Sequence, residues 1–299
     1  MPSSPERLVL VDGYAQIYRC FFAIRGLTSP AGQPTNALYG MARFMLNLEQ
    51  ALPHRFGALV LDKGKPKHRL ELLPEYKGTR PPMPDDLRCQ VAPIRAWVAA
   101  LGWPLLEEEG SEADDLIAAV VTACPGLEVA IVSHDKDLGQ LVRPGVSLVQ
   151  PGPKGALTRL GPEAVTEKFG VAPEQLGDYL ALVGDSVDNI PGVPGVGAKT
   201  AASLLDRFGS IAGIQEHLSE VERPALREAL TSAAETLRRN RRLVALRTDL
   251  PSSWSGIEGL QRRRPDWQAL LSMARGFGFQ SLTAELQRRL QDERNPTLF

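Results

Sequence analysis

Apolar residues follow two different rhythms along this chain. In the first half, short unbroken runs alternate with stretches where apolar residues recur every three or four positions. The runs LVLVD at 8–12, ALVLD at 58–62 and VAIV at 129–132 have the length and content of buried strands, and a shorter run at 146–149 reads the same way. Helical periodicity lies near 14–24, 35–51, 85–101 and 112–124. Leu38, Met41, Ala42, Met45 and Leu48 make one stripe of the second helix, and Pro84 and Gly102 bound the third. Ser111, three residues before Asp114, predicts a capping box at the start of the fourth. This alternation predicts α/β layers around a mainly parallel sheet. From about residue 160 the strand-like runs stop, and helices are expected at 173–183, 198–208, 224–247 and 266–290. The break between an α/β domain and a helical one is expected within 150–170, where PGPKG and LGP mark loops.

Composition adds bounds rather than identity. The 299 residues are 43% apolar and 23% charged, the make-up of a soluble globular chain of two domains or one domain with a large extension. A net charge of −1 neither favours nor excludes a polyanionic partner, but basic residues cluster at 63–80, 238–247 and 262–264. No apolar run nears the roughly 20 residues of a membrane span, and MPSSPER has no signal-peptide core. The three dispersed cysteines, with Cys20 and Cys124 in apolar helical contexts, suit a reducing cytoplasm.

The acids change the picture most. Asp12, Asp62, Asp135 and Asp137 follow strands, so they collect at the carboxyl edge of the sheet, where open α/β sheets place their sites. Glu112, Asp114 and Asp115 open a helix, with Glu112 and Asp115 on one face, and Asp185 and Asp188 follow segment 173–183. Singly, each has an ordinary explanation in a turn or a helix dipole. Nine together repel one another unless a cation intervenes, and an all-oxygen set suits a hard divalent ion such as Mg2+. None of the four histidines has the neighbours of a nucleophilic triad. A glycine-rich segment follows at 184–205. Gly192 and Gly197 have P-loop spacing, yet Ala198 stands where that motif needs lysine and no strand precedes it. Gly195-Val196-Gly197 instead predicts a tight hairpin ahead of a helix near Lys199 and Thr200, whose free amides could meet a phosphate.

Val-Asp-Gly at 11–13, Tyr-Lys-Gly-Thr-Arg-Pro-Pro-Met-Pro-Asp-Asp-Leu-Arg at 76–88, Glu-Ala-Asp-Asp at 112–115, Asp-Lys-Asp at 135–137 and Gly-Asp-Ser-Val-Asp-Asn-Ile-Pro-Gly-Val-Pro-Gly-Val-Gly at 184–197 together resemble the 5′→3′ exonuclease domain of bacterial DNA polymerase I, within the structure-specific 5′-nuclease (flap endonuclease) superfamily. The resemblance runs over about 7–280, and a free-standing form is expected. It implies a PIN-like (resolvase-like) α/β nuclease domain over 1–168 with an arch at about 63–95. A helical domain over 169–299 would hold a duplex-gripping helix-three-turn-helix at about 173–209.

By the same resemblance, Asp12, Asp62, Glu112 and Asp114 would hold a first Mg2+, and Asp135, Asp137, Asp185 and Asp188 a second, with Asp115 between. Mn2+ could substitute, and K+ could sit at the hairpin. Two such ions hydrolyse phosphodiesters. Arg19, Lys77 and Arg80 would meet the phosphates near the cut, Lys77 and Arg80 at the chemistry itself, while Tyr76 would stack on an unpaired base. Gly192, Gly195, Gly197, Lys199 and Thr200 would contact the duplex backbone without reading sequence. His134 stands where relatives have a small residue, either filling space or bonding a metal-bound water. The Arg238, Arg239, Arg241 and Arg242 set is either a downstream duplex contact or a solvated helix face. Asn295-Pro296-Thr297-Leu298-Phe299 loosely resembles a sliding-clamp peptide. The implied activity is cleavage at 5′ flaps, nicks, 5′ ends or RNA primers during DNA replication and repair, by a monomer at the bacterial nucleoid. Two other readings remain at this point: a DNA-junction-binding protein without catalysis, and a PIN-type endoribonuclease, which usually lacks the glycine hairpin.

Overall fold

A computed structural model describes residues 6–294; segment 295–299, with its clamp resemblance, lies outside them. Six strands form the sheet: β1 (Arg7–Asp12), β2 (Phe56–Val60), β3 (Leu105–Leu106), β4 (Glu128–Val132), β5 (Val146–Pro151) and β6 (Leu157–Leu160). Their order is β3-β2-β1-β4-β5-β6, and every pairing is parallel except β5 with β6. The continuous apolar runs are explained by burial on both sides. Leu8, Leu10, Ala58, Val60, Val129 and Ile131 face one core, and Val9, Val11, Leu59, Leu61, Ala130 and Val132 the other.

Two strands of this sheet were not evident from the sequence. β3 is only two residues long, and β6 is an edge strand whose middle residues are exposed. PGPKG is therefore the turn of a β-hairpin rather than an interdomain loop.

Helices α1 (Gly13–Ala23), α2 (Asn36–Ala51) and α4 (Asp85–Ala100) cover the second face, while α3 (Lys67–Leu72) and α5 (Ala113–Ala123) lie on the first. The first face is continued by α6 (Pro162–Phe169), α7 (Leu176–Val183), α8 (Ala198–Phe208), α9 (Ile211–Glu216), α10 (Pro224–Ser232) and α11 (Ala234–Val244). Between α7 and α8 a short ribbon pairs β7 (Gly184–Asp185) with β8 (Ile190–Pro191). The expected helix 224–247 is thus two helices that meet at Ala233, a break that no residue type there announces.

The chain then departs from the expected division. α12 (Trp267–Gly276) and α13 (Gln280–Arg294), expected as one helix within the helical domain, return to the second face of the sheet. Leu270, Ala274, Phe279, Leu282 and Leu286 bury there against α2 and α4, and the Arg43–Glu285 ion pair at 2.5 Å joins α2 to α13. Their amphipathic pattern said which side would be covered but not by what. Among the described residues, no helix is long and apolar enough to cross a membrane.

The strand order also places the site. From β1 the chain builds outward through β2 and β3, then crosses back to β4 on the other side of β1. The carboxyl ends of β1, β2 and β4 therefore meet at a topological switch point, where a crevice forms.

Candidate active site

Five carboxylates gather at that crevice. Asp12 ends β1 and caps α1, its Oδ1 accepting from the Ala15 amide at 3.4 Å and its Oδ2 from the Ser133 hydroxyl at 2.7 Å. The next residue must be glycine: a Cβ at Gly13 would stand 2.7 Å from the Val60 carbonyl oxygen. Asp62 follows β2 and accepts from the Ala113 amide at 3.0 Å. It so caps α5 from another element, and the expected Ser111 capping box is absent; Glu112 is the cap residue and makes no side-chain bond there. Asp114 lies in the first turn of α5. Beyond β4 the Ser133 hydroxyl accepts from the Asp135 amide at 2.9 Å, and Asp135 accepts from the Asp137 amide at 2.8 Å. This local turn aims both acids inward.

Electrostatics separate these five from the other four. Among the described residues, Asp12, Asp62, Asp114, Asp135 and Asp137 have no basic side chain within ion-pair distance. Burial pushes Asp12 up to about 7 despite the Ser133 bond, with Asp62 and Asp135 adding to the rise. Burial, then Asp135, Asp12 and Asp62, holds Asp114 well above the ordinary carboxylate range. Asp137 is likewise raised to about 7 by burial, then by Asp135 and Asp188. Asp62 and Asp135 are raised mainly by burial as well. Each shift records a charge that the fold leaves unneutralised.

The remaining acids are each held by cations. Lys77 pairs with Glu112, and Arg80 reaches Asp188 at 2.5 Å. Lys136 meets Asp185 at 2.9 Å, and this bond holds the Asp185 carboxyl below its ordinary range although burial opposes it. Arg69, only 3% exposed, grips both oxygens of Asp115 at 2.6 and 2.7 Å and also contacts Glu112. Asp115 also accepts from the Arg247 amide at 2.9 Å. Asp115 therefore anchors the basic segment to α5.

Several expected nucleic-acid contacts look different in three dimensions. Tyr76 is 7% exposed, its hydroxyl donates to Asp188 at 3.0 Å, and Arg69 and Lys77 lie over its ring, so it has no free face for a base. Tyr76, Lys77 and Arg80 tie their segment to Glu112 and Asp188, and α4 covers the second face of the sheet. Arg19 donates to the His134 imidazole Nε2 at 2.6 Å, so His134 serves as a partner for Arg19. A Cβ at Gly192 would stand 2.1 Å from the Val183 carbonyl oxygen, so that glycine serves packing of the ribbon on α7. Gly195 and Gly197 do face open space, with Lys199 exposed beside them and Gly197 at the N-terminus of α8. Of the arginines on α11, Arg238 pairs with Glu235 and Arg241 with Asp178.

Sequence reasoning passed over Arg69, Ser133 and Lys136 as individual site residues. Lys136 had a signal, being flanked by two acids of the set. Arg69 and Ser133 had none, because their roles depend on burial and on partners 46 and 121 residues away.

An all-oxygen donor set with unneutralised charge fits a hard divalent cation, and Asp137 leaves Oδ1 buried with no hydrogen-bond partner. Among the described residues, no three of these side chains already converge as a closed metal cage.

Comparisons with known proteins agree with this architecture. Residues 7–170 match the family model of the 5′-3′ exonuclease N-terminal resolvase-like domain, and 171–268 that of its C-terminal SAM fold. A 5′-3′ exonuclease from Aquifex aeolicus is 37% identical over 296 residues, covering 98% of this chain and 100% of the relative. DNA polymerase I from Pseudomonas aeruginosa is 41% identical over 97% of this chain, which spans only 32% of that longer protein. The fold is similar to T5 5′-exonuclease bound to zinc (TM-score 0.67, 23% identity, covering 95% of this chain and 99% of that one). It is also similar to the Rad2 catalytic core with a DNA substrate (TM-score 0.64, 15% identity, 95% and 93% coverage). With both family models matched in order across most of its length, the chain belongs to the 5′-3′ exonuclease family.

Proposed function

We propose that this protein is a divalent-metal-dependent 5′-nuclease that hydrolyses phosphodiesters at flaps, nicks or 5′ ends of DNA, RNA primers on DNA included. The observation that carries this reading is the group of five carboxylates at the switch point, unpaired among the described residues, with Lys77 and Arg80 held beside it on Glu112 and Asp188. A merely DNA-binding surface has no use for it, since unneutralised acids repel phosphate.

Asp12, Asp62 and Asp114 would hold one Mg2+ or Mn2+, joined by Glu112 once Lys77 turns to phosphate. Asp135 and Asp137, with Asp185 and Asp188, would hold another. Ions held there would supply an activated water and neutralise the leaving oxygen. The chain's own groups do the rest. Burial works against the charge on Lys77, but Glu112 and Asp188 outweigh it and keep the ammonium protonated, ready to bind a phosphate oxygen. Arg80 stays charged in the same way through Asp188. Gly195, Gly197, Lys199 and Thr200, in a helix-three-turn-helix completed by K+ in solution, would hold the duplex backbone, so that junction shape rather than sequence selects the substrate.

The test is cleavage of 5′-labelled flap DNA and of a matched RNA-primed duplex, in Mg2+ and in EDTA. Magnesium-dependent release of short 5′ products is expected. Tight duplex binding without cleavage in Mg2+ or Mn2+ would overturn the enzyme reading.

A further inference from the structure

Among the described residues, only two other than glycine adopt a left-handed backbone: Lys77 (φ 55) and Asn189 (φ 59). Such angles are unfavourable for a lysine and tolerated by asparagine. The two residues lie in segments that bond directly to each other. The Lys77 amide donates to the Asp188 carbonyl at 3.0 Å, and the Asn189 side-chain amide donates to the Glu75 carbonyl at 3.0 Å. Residues 75–77 and 188–189 are thus joined by two bonds running in opposite directions. Tyr76 and Arg80 add bonds from the same segment to the two carboxylate oxygens of Asp188.

One side of this junction is the firmer. Asp185 accepts from the amides of Val187 and Asp188 at 2.7 and 3.3 Å, closing the ribbon turn. Behind it, the fully buried Asn240 amide ties the Ala181 carbonyl at the end of α7 to the Pro191 carbonyl of β8, at 3.1 and 2.7 Å. By contrast, α3 ends at Leu72, and residues 73–84 contain no further helix or strand. A braced turn is therefore joined to a less regular segment that carries both cations.

We infer that Asn189 is a positioning residue: its left-handed turn and its bond to the Glu75 carbonyl set Tyr76 and Lys77, and with them Arg80, over the acid group. Glycine at this position would keep the turn but lose the bond, and alanine would lose both. This role rests on the nuclease reading for its kinetic consequence, but its structural half can be measured without activity.

Asn189→Gly tests it. Hydrogen exchange of the segment 73–80 should speed up about tenfold relative to wild type, while the sheet keeps its protection. For flap DNA, kcat should fall by about tenfold to a hundredfold with little change in duplex affinity, the signature of misplaced groups. In a Lys77→Ala background the same substitution should cost kcat clearly less than in wild type, because one of the groups it positions is gone. Unchanged exchange at 73–80, or costs that simply add in the double variant, would overturn the inference. A wild type that cuts no substrate would instead sink the nuclease reading, and the exchange result would still decide the junction.

Discussion

Asp114→Asn should abolish flap cleavage and make the metal-free protein more stable. Both effects come from one fact: Asp114 is buried beside Asp12, Asp62 and Asp135 with, among the described residues, no cation paired to it. Among the described residues its side chain makes no hydrogen bond that the amide would break, unlike Asp12, which accepts from both Ser133 and Ala15. Removing the charge relieves repulsion, and in EDTA at pH 8 the melting temperature should rise by about 3 °C or more. Cleavage should fall by more than about a hundredfold, since even groups one step removed from a bound metal commonly cost ten- to a hundredfold. Thermal melts and initial rates on one preparation check both. A variant that is inactive and also less stable would mean that Asp114 is structural rather than held in reserve for a cation.

The second large effect is in how stability depends on pH and metal. The folded pKa values of Asp12 and Asp137 are raised from 3.8 to about 7. For a raised carboxyl group the native state binds the extra proton, so that stability is fully present below about pH 4 and is lost as pH rises through about 7. The metal-free protein should therefore lose stability from this group between pH 4 and 8, and Mg2+ should restore it. The rise in melting temperature on adding Mg2+ should be clearly larger at pH 8 than at pH 5.5, because bound metal needs deprotonated ligands. Melts at the two pH values, with EDTA as reference, measure it directly. An equal or smaller shift at pH 8 would contradict the electrostatic picture.

Much of this site was legible in the chain because strands end where it sits. An acid that follows a buried apolar run must emerge at the sheet's carboxyl edge, and so Asp12, Asp62 and Asp135 could be placed together without coordinates. What could not be read was which acids are neutralised. Glu112, Asp114 and Asp115 are neighbours in sequence, yet Glu112 faces Lys77 and Arg69, Asp115 faces Arg69, and Asp114 faces the other acids. A helix turns about one hundred degrees per residue, so consecutive positions enter different surroundings. Tyr76 failed for a related reason: a tyrosine among basic residues suggests stacking, while its hydroxyl bond to Asp188 depends on a partner 112 residues away. The fold showed the same limit. Amphipathic periodicity located α12 and α13, but only the packed structure shows that they cover the α/β layer and not the helices that precede them.

Five carboxylates stand together without a paired cation among the described residues, Asp12 and Asp137 raised to about 7 and the other three also raised, which readies the group for a divalent cation. Calorimetric titration of the metal-free protein with Mg2+ at pH 7, repeated in buffers of different ionisation enthalpy, tests this most directly. With two groups near pKa 7, binding should release on the order of one proton per protein, because each group gives up its share as metal arrives. The release should shrink toward zero by pH 9. Binding with no proton release at pH 7, or no Mg2+ binding by the wild type at all, would contradict the account.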